Sequence, residues 1–295
     1  MTDAAWIQLL RENPWLLDGT ALLLGLIVGS FLNVVILRLP RMMEAQWRLD
    51  CAELQGGAGA PADRGPALTL SSPPSTCPAC GHRIRAHENI PILSYLLLRG
   101  RCSACGTAIG LRYPLVEAFT ALLTLVVVMH FGLTWQSLAA LPLTWALIAL
   151  ALIDYDTQLL PDSITLPFTW LGLILSLSGL FTDSQSSILG AVSGYLSLWL
   201  LFHLFRLATG KEGMGYGDFK LLALFGAWLG WQYLPQIVLL TALAGALVGG
   251  TLIATGRHPQ GKPFPFGPYL AAAGWISLVW GPGINAAYLR FSGLG

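Results

Sequence analysis

The chain has 295 residues, 55% of them hydrophobic, and a mean hydropathy of +0.64. Only 11% are charged, against about 25% in an ordinary soluble domain. That composition excludes a water-soluble globule and selects the bilayer as solvent; a net charge of +1 is uninformative, but the placing of the charges is not.

Asp3, Arg11 and Glu12 precede the first apolar run, with no basic n-region, so no cleaved signal peptide is expected. A spanning helix needs about 20 mostly apolar residues. Eight segments qualify, roughly 17–37, 113–132, 135–154, 164–181, 187–207, 218–232, 234–254 and 266–285. The sixth is short and close to the seventh; as one broken helix the two would leave seven spans. Between the first and second runs lies a polar island, 38–112, holding nine of the sixteen Lys and Arg residues.

Loop charges set the orientation. With 38–112 in the cytoplasm, eight alternating spans put loops 155–163, 208–217 and 255–265 on the same side. Arg206, Lys211, Lys220, Arg257 and Lys262 lie in or beside those loops, so that side collects fourteen of sixteen basic residues. The expected fold is all-α and polytopic, with about eight transmembrane helices and a small zinc-binding cytoplasmic domain between helices 1 and 2. The segments are 1–37 (N-terminus and first helix), 38–112 (cytoplasmic domain) and 113–295 (membrane domain).

The polar island contains Cys77-Pro-Ala-Cys80-Gly-His and Cys102-Ser-Ala-Cys105-Gly. Two CxxC turns can offer four sulfurs to a tetrahedral ion, which suits Zn²⁺. A glycine after each second cysteine fits a turn that needs φ > 0. Four sulfur ligands close the coordination sphere, so the site is expected to be structural rather than catalytic. The alternatives are redox CxxC pairs or unliganded thiols. Cys51 stands alone and receives no role.

Carboxylates in spans are costly and therefore mark function. Asp154 ends a wholly apolar run, and Asp218 opens another inside Gly213-Met-Gly215-Tyr-Gly217-Asp218-Phe-Lys220. In the topology above both lie at the cytoplasmic end of their helices, at one depth. Two close carboxylates share a proton, and such a pair can activate water against a peptide carbonyl. Gly213, Gly215 and Gly217 are expected to let an extended substrate backbone approach. Asp162, after Pro161, reads as a cap or turn residue, Asp156 as a loop carboxylate, and Glu117 as a partner of a nearby arginine such as Arg112. For Asp154 and Asp218 the competing readings are a structural ion pair, Asp218 with Lys220 for instance, and a proton relay in a proton-coupled transporter.

Gly215-Tyr-Gly217-Asp218-Phe-Lys220 resembles the GxGDxK motif of type IV prepilin leader peptidases, and presenilin and signal peptide peptidase share its GxGD core. Gly29-Ser-Phe-Leu-Asn33-Val-Val, the two CxxC pairs, Ile153 to Asp162, and Pro265-Phe-Gly267-Pro268 resemble further signatures of that family, which together cover nearly the whole chain. The resemblance implies a bacterial inner-membrane aspartic endopeptidase. It would cut the basic leader from type IV prepilins and pilin-like type II secretion subunits at the cytoplasmic face, after a glycine and usually before phenylalanine. It maps the family's catalytic aspartates onto Asp154 and Asp218, with Gly215, Gly217 and Lys220 supporting. It also implies N-methylation of the new N-terminus with S-adenosyl-L-methionine. No glycine-rich dinucleotide-type loop is present to hold that donor, and no nucleic-acid partner is expected.

Overall fold

The computed structural model describes residues 5–54, 68–211, 214–255 and 265–292. Its regular elements are helices: α1 (Ala5–Glu12), α2 (Pro14–Leu54), α3 (Leu93–Leu97), α4 (Arg112–Phe131), α5 (Trp135–Thr157), α6 (Asp162–Ser176), α7 (Ser184–Thr209), α8 (Tyr216–Leu229), α9 (Leu234–Ala254) and α10 (Gly267–Ser292). Among the described residues there is no strand. Two isolated antiparallel bridges, Thr76 with Arg83 and Arg101 with Ala108, occur instead, one around each CxxC pair. The chain forms two compact units, Met1–Ser137 and Leu138–Gly295.

In the first unit α2 and α4 pack antiparallel. Gly25 and Gly29 sit four apart on α2, on the face turned to α4. A Cβ on Gly25 would lie 2.5 Å from the Ala121 Cα, and one on Gly29 2.8 Å from the Glu117 Cα. Small residues at this spacing let helix backbones approach closely, which replaces the hydrophobic drive that lipid removes. Asn33, one turn further, donates its side-chain N–H to the Tyr113 carbonyl at 3.1 Å. Helix α2 is 41 residues long and runs well past its apolar part.

The second unit is built around α8, in which every residue from Asp218 to Leu229 except the half-buried Lys220 is buried. Helix α7 packs antiparallel to it. Gly190 and Gly226 face each other so closely that a Cβ on either would strike the other's carbonyl, and the Ser187 hydroxyl donates to the Ala227 carbonyl at 2.5 Å. Helix α6 runs parallel to α8: Asp162 meets Lys220 at one end, and Trp228 Nε1 donates to the Phe168 carbonyl (2.7 Å) further along. Gly274 of α10 lies against Phe225, so α10 follows the direction of α8. Helix α9 returns alongside α10, with Gln236 Nε2 donating to Ser277 Oγ at 2.9 Å. Helices α8 and α9 are thus separate and opposed, not one broken span.

Five of the described helices are long and apolar enough to cross a membrane: Pro14–Leu54, Arg112–Phe131, Trp135–Thr157, Ser184–Thr209 and the stretch Trp231–Leu252. They make the chain a multi-pass membrane protein. The other three expected spans behave differently. Helices α6 and α8 have 15 and 14 residues, short of the ~20 needed to cross unaided. Helix α10 has 26, but glycines and Pro282 dilute its apolar content. Leucines on α2 and α7, including Leu23, Leu196 and Leu200, point outward from their unit, as a lipid-facing surface requires.

Candidate active site

Asp154 lies three residues before the end of α5, and the residues preceding it, Ile148 to Leu150 and Ile153, are buried. Asp218 lies in the first turn of α8. The two carboxylates are 5% and 6% exposed. The sequence places them 64 positions apart; the fold brings them to one end of the second unit, where α5 ends and α6, α8 and α10 begin.

Each helix start contributes something definite. Gly267, the first residue of α10, donates its backbone N–H to Asp154 Oδ2 at 3.0 Å. A side chain there would collide, since a Cβ on Gly267 would stand 2.7 Å from that oxygen. Gly215 caps α8 in extended conformation, and the Asp218 N–H donates to its carbonyl at 3.3 Å. Space remains beside Gly215, where a Cβ would meet nothing nearer than 4.0 Å. Gly217 is different: a Cβ on it would lie 2.7 Å from that of Leu160. Leu160 packs into the space that its missing side chain leaves. Gly213 lies outside the described residues.

Lys220 Nζ donates to both carboxylate oxygens of Asp162, each at 2.7 Å. The expected cap or turn residue does open α6, but its carboxylate is engaged by this lysine, and the Asp218–Lys220 ion pair is replaced by one to Asp162. Asp156 is exposed at the end of α5. Sequence reasoning attached no role to Gly267 or Leu160; the available hint was a glycine between Phe266 and Pro268 at a helix start.

In the first unit the sulfurs of Cys77, Cys80, Cys102 and Cys105 all lie within 4.8 Å of one another. Cys77 Sγ and Cys105 Sγ are 3.8 Å apart, the edge of a tetrahedron with metal–sulfur bonds of about 2.3 Å. All four thiols are free. The two turns repeat one design: Cys77 N–H donates to the His82 carbonyl (2.8 Å) and Gly81 N–H to the Cys77 carbonyl (2.9 Å). Cys102 N–H donates to the Thr107 carbonyl (2.9 Å) and Gly106 N–H to the Cys102 carbonyl (3.0 Å). Gly81 and Gly106 have φ of 73° and 71°, the left-handed conformation expected there. Backbone N–H groups of Ala79 and Cys80 draw the Cys77 thiol pKa down. The Thr107 hydroxyl and N–H bring Cys105 to about 6. Cys80 goes the other way, to about 12: the His82 N–H draws it down, but the crowded sulfur of Cys105, desolvation and the sulfurs of Cys77 and Cys102 outweigh that bond. It is the mutual closeness of the four sulfurs that fits a metal ion.

Glu88 links the two turns. It accepts from the Arg85 N–H (2.8 Å) and the Ser103 hydroxyl (2.5 Å), and it lies 3.2 Å from His82 Nε2. Those bonds, the Arg85 N–H first, hold its carboxyl at about 2. Glu117, buried in α4, accepts the Ile92 N–H at 2.7 Å, which anchors the segment between the turns to this helix.

The family model described as the bacterial peptidase A24 N-terminal domain matches residues 23–131, and that of the type IV leader peptidase family matches residues 141–250. A prepilin leader peptidase/N-methyltransferase of Pseudomonas aeruginosa is 54% identical over 287 residues, 97% of this chain and 98% of that protein. Namesakes from Stutzerimonas stutzeri and Aeromonas hydrophila are 53% and 52% identical, covering 98% and 97% of this chain and 99% and 98% of theirs. No solved structure gives a significant match. With about half its residues shared with these proteins over almost their full length, the chain belongs to the type IV leader peptidase family of aspartic peptidases.

Proposed function

We propose that this protein is a prepilin peptidase that hydrolyses its substrate with Asp154 and Asp218. The observation that carries the reading is the burial of two carboxylates from distant parts of the chain at one end of the second unit, one of them fixed by a backbone N–H. One carboxylate takes a proton from water while the other, protonated, donates to the scissile carbonyl oxygen. The hydroxyl adds to the carbonyl carbon. The tetrahedral intermediate then collapses, the C–N bond breaks, and the leaving amine takes a proton from the first carboxyl. Gly267 occupies Asp154 Oδ2, so Oδ1 is the oxygen left for water or the shared proton. The open side of Gly215 gives an extended substrate backbone room beside Asp218.

The substrate class is prepilins and pilin-like secretion subunits, on the strength of relatives named for that activity at more than 50% identity. Those names favour hydrolysis over proton transport. The same names support N-methylation of the new N-terminus; S-adenosyl-L-methionine would supply the methyl group. Cys77, Cys80, Cys102 and Cys105 would hold Zn²⁺, which would staple two turns that have no strand or sizeable core of their own.

We read residues 38–112 as a cytoplasmic domain, 113–295 as the membrane domain, and the whole as eight passes of the bacterial inner membrane with the aspartates at its cytoplasmic face. The opposed directions of α8 and α9 and the fourteen basic residues on one side favour that arrangement. Incubation of the purified protein in detergent with a prepilin and S-adenosyl-L-methionine tests the function: mass spectrometry should find the leader removed and one methyl mass added. An uncut substrate would overturn it, and a cut but unmethylated one would remove the second activity.

A further inference from the structure

Asp162 lies outside the carboxylate pair, yet both of its oxygens are committed to one lysine two residues beyond Asp218. We propose that Asp162 is a positioning residue for the pair, acting through Lys220; the proposal rests on the two-aspartate reading above. Asp154 and Asp218 stand on different helices, and the chain between them is long. The short route runs through the turn after α5. Asp154 is eight residues before Asp162, and its carbonyl accepts the Gln158 N–H at 2.8 Å as the chain leaves the helix through a left-handed Gln158 (φ 57°). Asp218 and Lys220 share one helical turn. Joining Asp162 to Lys220 therefore ties the turn that follows Asp154 to the helical turn that carries Asp218.

A second tie lies next to the first, where Leu160 fills the space left by Gly217. The apolar contact sets the distance between the turn and α8, and the ion pair sets the register along the helix. A role in bulk stability is a weaker account of the ion pair. The two side chains are 30% and 53% exposed, and exposed pairs contribute little to folding. Catalysis is far more sensitive to small displacements, with a 1 Å error costing about 10²-fold in rate.

The test is a double-mutant cycle on prepilin cleavage with Asp162→Ala, Lys220→Ala and the double variant, all in detergent, with Asp162→Glu as the conservative replacement. The expected result is that each single variant lowers kcat by about 10- to 100-fold with KM and the thermal midpoint little changed. The double variant should be no worse than the poorer single one, and Asp162→Glu should recover part of the rate. An Asp162→Ala enzyme with unaltered kcat, or a double variant slowed by the product of the two single losses, would overturn the proposal. Asp154→Asn and Asp218→Asn run alongside. If those two cleave normally, the two-aspartate reading has failed; if they are inactive while Asp162→Ala is not, only the positioning role has failed.

Discussion

Gly267→Ala is the smallest change that should disable the site without touching either aspartate. The added methyl would stand 2.7 Å from Asp154 Oδ2, 2.9 Å from Cγ and 3.2 Å from Cβ, whereas ordinary contact begins at 3.4 Å. The carboxylate must therefore retreat by about 0.7 Å, or α10 must shift at its first turn. Either movement lengthens the 3.0 Å hydrogen bond that fixes Asp154. Since a misplacement near 1 Å costs on the order of 10²-fold, kcat for prepilin cleavage should fall by about 10- to 100-fold, equivalent to about 1.4–2.7 kcal/mol of barrier. The assay is steady-state cleavage in detergent over a range of prepilin concentrations, with thermal unfolding measured alongside. KM and the unfolding midpoint should change little, because the substrate's remote contacts and the rest of α10 are unaltered. A Gly267→Ala enzyme with wild-type kcat would refute the idea that this N–H and this close approach position Asp154.

Replacing Cys77 and Cys80 by Ser should abolish bound zinc, read by elemental analysis of the purified protein; unchanged metal content would contradict the four-sulfur site. Gly226→Val should force α7 and α8 apart, since even one added carbon would strike the Gly190 carbonyl, and the thermal midpoint in detergent should drop markedly. Trp228→Phe removes the 2.7 Å bond to the Phe168 carbonyl and should cost about 1 kcal/mol, seen as a small lowering of the same midpoint; no change would mean that bond is dispensable.

The parts legible in the sequence were those that depend on local pattern. Apolar run length located the five long spans, since lipid contact is a property of consecutive residues. The CxxC turns and the left-handed Gly81 and Gly106 followed from spacing and from glycine's freedom at positive φ. The ending of the first helix was not legible. Residues 38–54 are too polar to face lipid, but rich in Leu, Met, Arg and Glu, so α2 continues as a helix to Leu54 outside the apolar stretch. Helices α6 and α8 are shorter than the apolar runs that predicted them, because Gly230 turns the chain after α8 with φ 86° and the run after Ser176 breaks into turns. Contacts across long separations were hidden altogether. Gly267 reaches Asp154 over 113 positions and Lys220 reaches Asp162 over 58; periodicity carries no record of such pairs. The two aspartates stand out in the sequence because a carboxylate beside an apolar run is conspicuous, whereas a glycine that donates its N–H to one is not.

Replacement of each aspartate by asparagine, which removes the ionisable group at nearly constant size, tests the central claim most directly. Purified Asp154→Asn and Asp218→Asn enzymes, folded as judged by unchanged thermal midpoints, should each leave a full-length prepilin uncut under conditions where the unmodified enzyme converts it completely. Full cleavage by either variant would contradict the two-aspartate account.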